Sequence, residues 1–231
     1  MNAVIVTARK GARDKNLWEV DGKPLVEYPI RAAWLSTHIQ EVFVTTDSPG
    51  VKNVAEEIGC QIIDRPTHLS GSFTNHGDVI KHAVHRTPSK YQNIVVLLGN
   101  TVMIDADDIN TALILLDERP EIDSVMTVAD MRDNHPVRMH TLTPDGYLRS
   151  YLRSYEASTN RQDYEPIFQF DGGLWAFRRE MVDQRNQRIQ PWWWMGETCL
   201  PIIRPWTPIR DVHDEIELEF SEWWVRRDNG N

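Results

Sequence analysis

Ala8-Arg9-Lys10-Gly11-Ala12-Arg13-Asp14-Lys15-Asn16 follows the short apolar run at 3–7 and sets four cationic side chains around one glycine. A chain of formal net charge -9 repels polyanions in general, so positive charge gathered in one loop suits local neutralisation of a polyphosphate. Gly11 lets backbone N–H groups approach a bound anion closely, and the loop reads as a phosphate cradle. The competing reading is a solvated basic loop. Two phosphate-binding loops are excluded: the G-x-x-x-x-G-K-[ST] pattern is not met, and a single glycine before the next helix makes no dinucleotide fingerprint.

A strand must stand in front of this loop and a helix behind it. Residues 3–7 are a β-rich apolar run bounded by a glycine-containing loop, as in a buried strand of a parallel sheet. Asp21-Gly22-Lys23-Pro24 is turn chemistry, and Leu25, Tyr28, Ala32 and Leu35 then share one helix face. The rhythm recurs: strand at 41–45, helix at 48–58 stopped by Gly59, strand at 60–63, helix at 76–85. The run NIVVLL at 93–98 is the strongest buried strand, followed by a helix through 107–116 entered by Asp105 and Asp107. Alternation of this kind implies an α/β, doubly wound, mostly parallel sheet, whose ligands sit at the carboxyl ends of the strands. Asn100 lies at such an end, able to donate and accept toward a hydroxyl.

After Asp123 the rhythm changes. An antiparallel excursion is expected at 133–166, with the turn Pro144-Asp145-Gly146 inside it, before the chain rejoins the sheet near 168–178 and closes on a terminal helix at 215–227. The 231 residues are read as a single domain over 1–231 with 133–166 as an inserted arm.

Composition removes several classes. Asp and Glu number 34 against 25 Lys and Arg, which argues against a nucleic-acid partner. No stretch reaches the roughly 18 to 20 apolar residues of a membrane span. Cys60 and Cys199 are the only cysteines, too few and too far apart for a disulfide framework or a thiolate zinc site, so a cytoplasmic protein is expected.

"ARKGARDKN", followed by "DGKPLVEYPIRAA", resembles the opening signature of the acylneuraminate (CMP-sialic acid synthetase-like) cytidylyltransferase family. "EVFVTTDSPGVKNVAEEIGCQIIDRP", "FDGGLWAFRRE" and "RDVHDEIELEFSEW" resemble later segments of that family in the same order. The resemblance implies a nucleotide-diphospho-sugar transferase fold, glycosyltransferase-A-like and Rossmann-like. It implies CTP and a sugar-type acceptor as partners: CMP passes to the acceptor oxygen and pyrophosphate leaves, for surface glycan biosynthesis. Carried over by residue, Arg9, Lys15 and Asn16 hold the triphosphate within a binding segment Ala8, Arg9, Lys10 and Gly11. Arg65 is a further triphosphate arginine, and Thr74, Asn75 and His76 meet the cytidine. Arg9, Lys15 and Asp211 are the residues assigned to catalysis, and Mg²⁺ is the implied cofactor. A homodimer or higher oligomer built through the 133–166 arm is implied as well.

Transfer at phosphorus needs in-line positioning and charge neutralisation more than a covalent nucleophile, which suits these residue types independently. Mg²⁺ wants carboxylate and water oxygens, so Asp211 is its first expected ligand and Asp214 its second. The competing reading is an acidic cap on the helix opening at Glu215. His213 stands where the family carries a second aspartate, and "LGNTVMID" replaces its Gln-Pro-Thr-Ser-Pro run. The acceptor is expected to meet Asn100, Arg138 and Asp171, with a nonulosonic acid first and a phosphorylated sugar or polyol second. A noncatalytic nucleotide-binding homologue is the remaining alternative. Trp192-Trp193-Trp194 is read as packing or subunit interface ahead of sugar stacking.

Overall fold

The computed structural model describes residues 1–131, 134–152, 158–185, 188–205 and 211–228. In chain order the elements are β1 (Asn2–Ala8), β2 (Glu19–Val20), β3 (Lys23–Pro24), α1 (Glu27–Leu35), β4 (Glu41–Thr46), α2 (Pro49–Glu57), β5 (Gln61–Asp64) and α3 (His76–Arg86). They continue with β6 (Asn93–Leu98), α4 (Ala106–Glu118), β7 (Ser124–Asp130), β8 (His140–Leu142), β9 (Leu148–Ser150), β10 (Phe168–Arg178), β11 (Cys199–Arg204) and α5 (Glu215–Asp228).

Seven strands form one sheet in the order β11-β7-β10-β6-β1-β4-β5. β1 pairs parallel with both β4 and β6, β4 with β5, and β11 with β7. β10 alone runs antiparallel, against β6 on one side and β7 on the other. The expected mostly parallel sheet is therefore present.

β1 is buried along its whole length, because both faces of the sheet are covered and alternation between water and core is lost. Its side chains still alternate between two cores. Val4 and Val6 pack with α1, α2 and α4, while Ala3 and Ile5 pack with α3, Trp175 and Trp194. The helices start where side-chain oxygens can serve their free N–H groups: Ser48 Oγ accepts from Val51 N, Asn75 from Gly77 N, and Asp105 from Asp108 N. A third, smaller core joins Val20, Leu25, Val102, Met103 and Val212 to Leu218, Phe220 and Trp224 of α5, so α5 closes the end of the molecule near the first loop.

The expected excursion contains an antiparallel hairpin, β8 with β9, whose residues are all exposed. Positions 133 and 153–157 of that arm lie outside the described residues. The tryptophan run packs inward: Trp194 is buried against Trp175, and Trp193 crosses α3 so closely that a Cβ on Gly77 would lie 2.5 Å from its Nε1. No helix among the described residues is long and apolar enough to cross a membrane.

Candidate active site

The carboxyl ends of β1, β5 and β6 open into a cavity of about 550 Å³, large enough for a nucleotide-sized ligand. It is lined by Arg9, Lys10, Gly11, Arg13, Lys15 and Asn16 of the loop after β1, by Arg65 and Thr74, and by Asp211 and His213 of the segment before α5.

The loop after β1 is fixed by contacts that sequence reading did not foresee. Gly11 and Asp14 both take the left-handed backbone conformation, at φ 56° and 43°, which turns the chain back on itself. Asp14 accepts from Ser48 Oγ at 2.6 Å, and Asp47 accepts from Lys10 N at 2.8 Å. Asn16 is buried and donates through Nδ2 to Arg9 O at 2.7 Å, so it shapes the cradle from beneath. Gly99 is needed there, since a Cβ on it would sit 2.9 Å from Asn16 Oδ1 and 2.8 Å from the Ala8 methyl.

Arg65 is buried and donates to Thr45 O at 2.8 Å. Desolvation pulls its guanidinium down to about 10, with Arg9 acting in the same direction and Asp47 against it. It is a charge held in place with few protein partners, and its Nε has no hydrogen-bond partner among the described residues. An anion in the cavity would relieve that cost.

His76 opens the floor of the cavity. Its Nε2 lies 3.1 Å from Thr7 Oγ1, and Trp175 and Trp194 close over the ring at 5.6 and 6.1 Å between centroids. Burial pushes the imidazole down to about 4, with Arg65 adding to the effect. The ring is neutral at pH 7, suited to a hydrogen bond and not to charge neutralisation. Because the folded value lies below the ordinary 6.5, the unfolded chain takes up the proton first. This contribution to stability is complete above pH 6.5 and is lost as pH falls toward 4, by up to about 3 kcal/mol. Urea unfolding at pH 7 and pH 4.5 should show a loss that is smaller by most of that amount in His76→Asn.

Asp211 reaches the cavity because its backbone bridges Thr101 and because the next residue is clamped: Val212 N donates to Asn100 O at 2.8 Å, and Asn100 Nδ2 donates to Val212 O at 3.0 Å. Lys15 Nζ spans the gap to His213 O at 3.1 Å.

Four of the expected site residues are placed away from the cavity lining. Asp214 is not among the cavity-lining residues; its Oδ1 accepts from Glu217 N at 3.0 Å, so it caps α5. Asn75 likewise caps α3 and does not line the cavity. Asp171, expected to meet the acceptor, has a side chain only 1% exposed and faces the Arg204 guanidinium at 3.6 Å. It sits on a bulge of β10 where Gly172 takes φ 79° and where a Cβ on Gly173 would lie 2.7 Å from Arg204 Nη1. Arg138 is exposed on the arm, away from the cavity lining. Asn100 does line the cavity, with its amide engaged by Val212. Asp14, Asp47 and Ser48 were missed, although Asp47 and Ser48 follow the carboxyl end of the strand beside β1.

A doubly wound sheet with a cationic loop at the carboxyl end of its first strand defines a nucleotidyltransferase-like α/β fold. The cytidylyltransferase family model matches residues 3–185, and the chain belongs to that family. It is 32% identical over 223 residues to the N-acylneuraminate cytidylyltransferase of Escherichia coli, an alignment taking in 94% of this chain and 50% of the relative. To the 8-amino-3,8-dideoxy-manno-octulosonate cytidylyltransferase of Shewanella halifaxensis it is 23% identical over 191 residues, 78% of this chain and 75% of the relative. The chain spans about half the length of the N-acylneuraminate relatives it matches, 50% in one and 43% in another. Among solved structures, CMP:2-keto-3-deoxy-manno-octonic acid synthetase in complex with CTP superposes with a TM-score of 0.75 at 18% identity, over 99% of this chain and 100% of that one.

Proposed function

We propose that this chain transfers CMP from CTP to an acidic sugar of the nonulosonic type and releases pyrophosphate. The observation that carries the reading is the cavity itself: five cationic residues, Arg9, Lys10, Arg13, Lys15 and Arg65, line it together with Asp211. Arg9 and Lys15 neutralise the triphosphate, and Arg65 offers a fixed positive charge beneath it. Asn16 holds the Arg9 carbonyl and so sets the curvature of the loop. The acceptor hydroxyl attacks the α-phosphorus, and the pyrophosphate leaves against the cations of the β1 loop. His76 and Thr74 line the side left for the nucleoside.

A divalent cation is the proposed cofactor, Mg²⁺ being the one the family resemblance implies, and it would supply charge neutralisation between phosphate and protein when bound. Asp211 fits it as a carboxylate ligand. No cluster of three or more potential ligands exists among the described residues, so phosphate oxygens and water must complete the shell, as is usual for this ion.

The arm leaves Leu142, Tyr147, Leu148 and Tyr151 each more than half exposed. A two-stranded hairpin of this kind is marginal alone in water, and we propose that a second copy covers it. Light scattering is expected to report twice the chain mass of 26.8 kDa. Both cysteines are unpaired, which suits the cytoplasmic location proposed for the protein.

The test is pyrophosphate release from CTP with Mg²⁺ and a panel of nonulosonic acids and sugar phosphates. Release with an acidic sugar supports the reading, and CTP binding without release on any acceptor overturns it. Nucleotide choice is read by thermal shift, since CTP at a hundred times its dissociation constant stabilises by about 2.7 kcal/mol. Gly99→Ala should weaken CTP binding by calorimetry, because its methyl displaces Asn16 at a strain of about 1–3 kcal/mol.

A further inference from the structure

Asp211 is the one carboxylate among the cavity-lining residues, beside five cationic side chains, and a phosphate tail there would meet it as a like charge. Such a carboxylate is compatible with a bound polyphosphate only when a cation lies between them. The neighbouring side chain is unusual for that task. His213 Nε2 lies 3.1 Å from Asp211 Oδ2, and both residues line the cavity. The other ring nitrogen, Nδ1, faces Glu217 Oε2 at 3.4 Å. Glu217 is itself fixed, because the same oxygen accepts from the backbone N–H groups of His213 and Asp214. An imidazole with one nitrogen backed by a carboxylate and the other turned to a carboxylate oxygen is arranged as metal-ligating histidines are. The spacing agrees: two neighbouring ligands of an octahedral ion at bond lengths of about 2.1 Å lie about 3.0 Å apart.

Nitrogen in the donor set decides the ion. Mg²⁺ is served by oxygen, whereas Mn²⁺ and Co²⁺ accept imidazole and carboxylate together. We infer that Asp211 and His213 form a mixed carboxylate–imidazole cation site, oriented by Glu217 and completed by nucleotide phosphate oxygens, that holds Mn²⁺ or Co²⁺ in preference to Mg²⁺. The inference rests on the polyphosphate reading of the cavity. It differs from a simple ion pair, in which protonated His213 neutralises Asp211 and no metal–nitrogen bond forms.

The two are separated by electron spin-echo spectroscopy of Mn²⁺ bound to the full chain with saturating CTP and no acceptor. Nitrogen-14 modulation from a ligated imidazole is expected, and it should vanish in His213→Asp while Mn²⁺ remains bound. In the same variant, the Mg²⁺ concentration that displaces half of the Mn²⁺ should fall at least about tenfold. Bound Mn²⁺ without nitrogen modulation, or modulation that persists in His213→Asp, overturns the inference and leaves the nucleotide reading standing. If calorimetry finds no CTP binding with either ion, the nucleotide reading falls first and the inference with it.

Discussion

Asp211→Ala is expected to slow pyrophosphate release by about 10³-fold or more, because preorganised charge at a reacting phosphate is worth that much when removed. The thermal midpoint should move by less than about 2 °C. The side chain is one-third exposed, and its bridge to Thr101 is made by backbone. The wall of the cavity therefore stays in place while its carboxylate is gone. Asp214→Ala is expected to do the reverse. Loss of the α5 cap should lower stability by about 1 kcal/mol, because that carboxylate serves Glu217 N and not the cavity. Initial rates and melting curves on the two variants distinguish a ligand from a cap in acidic residues three positions apart.

The largest effect on stability is expected from Arg204→Ala. Arg204 joins three elements: it donates to Met103 O at 2.6 Å, meets Asp108 at 2.9 Å and faces Asp171 at 3.6 Å, with its own side chain 11% exposed. Truncation takes the Arg204 guanidinium away from the enclosed Asp171 carboxylate, and breaking a buried pair in this way costs about 3–5 kcal/mol. For a chain of this size the midpoint should drop on the order of 10 °C. Adding Asp171→Leu should recover much of the loss, since the uncompensated charge is then gone. A double variant no more stable than Arg204→Ala would show that the damage comes from the Met103 and Asp108 contacts instead.

Buried strands were legible because β1 and β6 lie inside a sheet covered on both faces and carry unbroken apolar runs. The antiparallel direction of β10 was not, since a period of two encodes which face a side chain takes and not which way the strand runs. The β1 loop was readable as a cationic loop at a strand's carboxyl end because its charges are local in sequence. Its anchors were not: Asp14 to Ser48 and Lys10 to Asp47 are separated by 34 and 37 positions, and only folding brings them together. The capping places of Asn75 and Asp214 were not legible, for a chemical reason. The side chains that cap helices are the ones that bind ligands, and sequence does not say which N–H groups they face. Asp171 was read as a site residue from its place in the family-like segment FDGGLWAFRRE, and in the fold it faces Arg204.

The Lys15 to His213 link joins positions 198 residues apart, and with the Asn100–Val212 pair it holds the segment before α5 against the sheet. Contacts of such separation close late in folding. They can also open without disturbing the strands, because α5 rests on the small third core and not on the sheet faces. Amide exchange around 211–218 would then outpace that of β1 and β6 in the empty protein and slow on occupancy. Ligand release becomes a question of how often this latch lifts.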